Sequence, residues 1–149
     1  MLCSDLGVHI DGYVAVQATT VQVQSTPGPV TGRHADVIAC ANTCFEAALR
    51  LIRPTKSIAA VSPPLNEIAA AFGCTMVEGV MTHNVKQFVI DGQKCVANRP
   101  APDQKVEDGT FDEHEVFSVD IVVSTGAPHW CTAWTAHRRS SRSRPSLYC

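Results

Sequence analysis

Ser4-Asp5-Leu6-Gly7-Val8-His9-Ile10-Asp11-Gly12-Tyr13-Val14-Ala15-Val16 sets Val8, Ile10, Val14 and Val16 in alternation with His9, Asp11, Tyr13 and Ala15. Alternation of period two marks a strand with unlike faces, and Asp-Gly at its centre suits a tight type I′ turn, so the stretch predicts a β-hairpin. With the turn centred on Asp11-Gly12, Asp5 falls opposite Ala18 and diagonal to Val16, on one face. A carboxylate is a depleted residue within such a strand.

Outward from the hairpin, alternation resumes at Val21-Gln22-Val23-Gln24 and stops at Ser25-Thr26-Pro27-Gly28-Pro29, a loop by its turn residues. Val37, Cys40, Cys44, Ala48 and Leu51 recur every three or four residues, which predicts a helix from Asp36 to about Arg53, ended by Pro54. A second helix is expected after Ser62 as N-cap, with prolines in the first turn, an apolar stripe of Leu65, Ile68, Ala69 and Phe72, and Gly73 at its C-terminal end. Extended segments are expected over Thr75–Met81 and over Lys86–Ile90, the latter turning at Asp91-Gly92 into a short return strand. Pro100–Asp112 reads as a polar, acidic loop. Val116–Ser124 is nearly continuous in β-branched residues, as for a strand buried on both faces. The order hairpin, helices, strands makes the chain mixed α/β, in the α+β sense, without strict βαβ alternation.

The 149 residues suit one domain, and 45% apolar with 17% charged residues excludes global disorder and allows a core. No apolar run approaches the roughly 18–20 residues of a membrane helix, so no membrane partner is expected. The start, Met1-Leu2-Cys3-Ser4-Asp5, lacks the flank and apolar stretch of a secretory signal. Seven cysteines are scattered without a CxxC pair, the pattern of reduced thiols in a cytosolic or nuclear protein. The net charge of −2 is uneven: every acid lies at or before Asp120, and residues 126–149 hold four arginines and no acid. That tail, with Arg138, Arg139, Arg142 and Arg144 among serines, reads as disordered. Its arginines are weak candidates for an RNA-binding or import patch, with Trp130 and Trp134 available to stack on bases, and a shifted reading frame would look the same.

Asp5, Asp120 and His83 are the residues with chemistry in apolar surroundings. Asp120 is flanked by Phe117, Val119, Ile121 and Val122, and His83 lies between two apolar segments. Buried carboxylates must be paired, protonated or metal-bound, and Asp, Asp and His together suit Mn, Fe, Co or Zn. Each alone is more often at a bulge, an edge or a buried hydrogen bond than on a metal, and Thr82-His83-Asn84 also reads as a loop corner.

The hairpin stretch Ser4–Tyr13 resembles the first catalytic-domain hairpin of the pita-bread aminopeptidases, and more closely that of the proliferation-associated family related to type 2 methionine aminopeptidase. The resemblance extends in order through Thr31-Gly32-Arg33 with Ala35-Asp36-Val37-Ile38, Ala47-Ala48-Leu49-Arg50-Leu51, Val77-Glu78-Gly79-Val80, His83–Gly92, and Val116–Asp120 leading to Ser124-Thr125-Gly126. It implies a partial pita-bread domain over 1–126, with a curved, mostly antiparallel sheet and outer helices, and an unmatched basic tail over 127–149, disordered or mistranslated. Strands whose partners lie outside the chain would leave open edges.

In the peptidases of this fold two metal ions are held by an Asp in each hairpin strand, a His and two Glu. The resemblance sets Asp5 on the first position and His83 on the histidine. Val16 stands where the second Asp is expected, Asp120 stands one methylene short of the first Glu, and the last Glu has no counterpart. Asp91 stands where a second His serves the substrate. Loss of ligands and charge on this scale implies a degenerate site, with no metal, no cofactor and no catalytic residue. The proliferation-associated family is similarly non-catalytic, and the resemblance implies RNA and ribosome association, ribosome biogenesis, growth regulation through protein partners, and residence in cytoplasm, nucleus or nucleolus. No DNA contact is deducible. The rivals are a metal-dependent aminopeptidase using Asp5, His83 and Asp120, and a truncated product without function.

Overall fold

A computed structural model describes residues 1–100, 106 and 108–126; the arginine-rich tail lies outside the described residues. Strands β1 (Leu2–Ile10) and β2 (Tyr13–Val21) form the hairpin. Asp11 and Gly12 both have positive φ, as a type I′ turn requires. The register is the one read from the sequence: Asp5 pairs with Ala18, and Gly7 with Val16.

Helix α1 (Arg33–Leu51) starts three residues earlier than the apolar period indicates. The cause is Arg33, whose guanidinium donates to the carbonyls of Phe72 (3.0 Å) and Gly73 (2.8 Å). These belong to the C-terminal end of α2 (Ser62–Ala71), where unpaired carbonyls and the helix dipole favour a cation. The helix ends at Leu51, two residues short of the expected Arg53, because Pro54 disfavours helical geometry in the residue before it. Ser62 is not the cap of α2. Val61 occupies that position, and the Ser62 hydroxyl donates instead to the Ala97 carbonyl, joining α2 to the sheet. Gly73 closes the helix with φ of 62°, as expected.

The later strands differ from the sequence reading in one connected way. The extended segment expected over Thr75–Met81 is a strand only at β3 (Thr75–Met76); the chain turns at Gly79, with its φ of 84°, and a separate strand β4 (Met81–Val85) begins where that segment ends. Their partner is divided to match: β6 (Val116–Ser118) pairs with β4, and β7 (Val123–Ser124) pairs with β3. Val116–Ser124 is therefore not one strand buried on both faces; Val116 is exposed and the rest is half-buried. The return strand expected after Asp91-Gly92 is β5 (Cys95–Ala97), but the chain reverses earlier, where Lys86 and Val89 exchange backbone hydrogen bonds of 2.9 Å. Gly92 then packs on β4 so closely that an added Cβ would run into the Asn84 side-chain oxygen.

Among the described residues the strands pair antiparallel in three small sheets, β1-β2, β3-β7 and β5-β4-β6. The core lies between α1, α2 and the β3 region, around Cys44, Ala48, Leu65, Ala69 and Met76. Phe111 joins it, 2% exposed and edge-to-face on Phe117 at 5.2 Å. Within the loop read over Pro100–Asp112, Phe111 is thus held in place: its carbonyl accepts from the Thr55 N–H at 2.9 Å and its N–H donates to the Lys56 carbonyl at 3.0 Å. Among the described residues no helix is long and apolar enough to cross a membrane.

Candidate functional site

Asp120 occupies the gap between β6 and β7, where the ladder is interrupted. Its N–H donates to the Thr82 hydroxyl at 3.1 Å, and its carbonyl accepts from the Asn98 amide at 2.9 Å. Side chains thus replace the missing strand partners, as a buried backbone requires. Thr82 and Asn98 are themselves buried at 3% and 1% exposure. Asn98 is held in turn: its N–H donates to the Val80 carbonyl, and its own carbonyl accepts from Asn66 on α2.

Burial, and secondarily the negative charge of Asp5, pushes the Asp120 carboxyl up to about 7. The fold therefore brings together the two acids that the sequence singled out. Asp5 reaches this site from an exposed strand, and Val16 shares its face two pairs along the hairpin. His83 sits mid-β4, half-buried, paired with Cys95 on one side and Ser118 on the other. Among the described residues no three His, Cys, Asp or Glu side chains gather into a group able to hold a metal ion. The donors do not fit a two-metal centre, because the position on Asp5's face where the resemblance expects a second carboxylate is the isopropyl group of Val16. Arg138, Arg139, Arg142 and Arg144 lie outside the described residues.

Three features escaped the sequence reading. Thr82 and Asn98, which secure Asp120, sit in stretches that look like loop. Cys40, Cys44 and Cys74 converge in the core as free thiols. Burial, then the neighbouring Cys44 and Cys74, pushes the Cys40 thiol up to about 12. The helical spacing of Cys40 and Cys44 and the place of Cys74 just after the α2 cap were the available signals. An apolar cavity of about 480 Å³ lies against Ile58, Ser62, Asn66, Val96 and Val106, and none of Asp5, His83 or Asp120 lines it.

Hairpin, paired outer helices and a split antiparallel sheet around Asp5 and Asp120 define the class, the pita-bread fold of the methionine aminopeptidases. A thermophilic Arx1 aligns with a TM-score of 0.75 at 24% identity, over 84% of this chain and 40% of that one. Methionine aminopeptidase from Thermotoga maritima aligns with a TM-score of 0.69 at 19% identity, over 85% and 47%. Within that class the chain is a homologue of the proliferation-associated proteins. It is 52% identical over 122 residues to a Solanum tuberosum protein named ERBB-3 binding protein 1, over 82% of this chain and 31% of the relative. It is 40% identical to proliferation-associated protein A of Dictyostelium discoideum, over 97% and 36%. It is 43% identical to the curved DNA-binding protein of Schizosaccharomyces pombe, over 80% and 32%. The chain thus spans about a third of the length of the curated relatives it matches. No family model matches it.

Proposed function

We propose that the chain is a non-catalytic, aminopeptidase-like scaffold that works by binding, with protein or RNA and ribosomal partners in growth control and ribosome biogenesis, in cytoplasm, nucleus or nucleolus. The observation that carries this reading is the hairpin register, which sets the isopropyl group of Val16 on the face of Asp5, where the resemblance expects a second carboxylate. A hydrolytic two-metal centre needs bridging carboxylates to offset the ions' charge, and Val16 supplies neither an oxygen ligand nor a charge. Relatives named for binding ERBB-3 and curved DNA support a binding role. An acidic balance over residues 1–125 favours a protein partner over a nucleic acid, since phosphate repels such a surface.

The test is equilibrium metal analysis after incubation with Mn or Co, together with an aminopeptidase assay on methionyl peptides. The expected result is no stoichiometric ion and no turnover. Stoichiometric Mn or Co lost in Asp5→Ala, with hydrolysis, would overturn the reading in favour of a working peptidase.

A further inference from the structure

We draw no further inference here: the strongest candidate, the apolar cavity of about 480 Å³ that Ser62 and Asn66 of α2 line together with Val96 and Ala97 of β5, carries no proposal because nothing among the described residues shows what covers it.

Discussion

Asp5 on β1 and Asp120 in the β6–β7 gap share one electrostatic environment, and burial of Asp120 with the charge of Asp5 nearby lifts its carboxyl to about 7. A folded-state value above the ordinary 3.8 means that the native chain holds this proton more tightly than the unfolded one. The group's contribution to stability is then fully present below about pH 4 and is lost as pH rises through about 7. Asp120→Asn removes the ionisation and should stabilise the chain at pH 8 by about 2–4 kcal/mol relative to its effect at pH 4. Urea unfolding of both forms across that range checks it; equal slopes with pH would refute the assignment.

The hairpin register was legible because a turn dipeptide and strict alternation fix it from either side. The helices were legible from their apolar stripes, as was the Gly73 end of α2; the start of α1 and the cap of α2 were not. Arg33 begins α1 by reaching carbonyls at the end of α2 that lie 39 and 40 residues further along the chain, a contact no local pattern encodes. The split of Val116–Ser124 was hidden for the same reason: it answers a bend at Gly79 in the partner segment. Of the site, Asp5 and Asp120 stood out as acids among apolar residues, whereas Thr82 and Asn98 act through backbone groups of Asp120 that the sequence leaves unspecified.

Arg33 holds two carbonyls at the end of α2 and so ties the start of one helix to the end of the other. Arg33→Ala should cost about 1–3 kcal/mol, as loss of charge-assisted hydrogen bonds does. Arg33→Lys should recover only part of it, since an ammonium cannot present two parallel N–H groups. Thermal unfolding of the two variants checks the order; full recovery in Arg33→Lys would reduce the contact to simple charge.

Gly92 lies against Asn84 with no room for a methyl group, which would meet both the side-chain oxygen and the carbonyl of that residue. The carbonyl also accepts the Gly92 N–H at 3.0 Å, so the backbone cannot withdraw without losing that bond. Gly92→Ala should destabilise by about 1–3 kcal/mol through overpacking. A silent substitution by chemical denaturation would show that the β4–β5 connection is looser than this geometry.

The cysteines give a prediction that separates location from chemistry. A thiol reacts as its thiolate, so Cys40, enclosed and pushed up to about 12, should resist alkylation in the native chain at pH 8. Cys44 and Cys95 are also raised by burial, Cys44 fully enclosed and Cys95 less so. Cys3 lies exposed on β1, within 3.3 Å of the Thr20 hydroxyl, and should be modified first. Iodoacetamide labelling read by peptide mass spectrometry should therefore give Cys3 ahead of Cys95, with Cys40 and Cys44 modified only at the rate of unfolding. Labelling of Cys40 as fast as Cys3 would mean that α1 opens from the core under native conditions, and the packing around Leu65 and Met76 would then have to be far weaker than their burial implies.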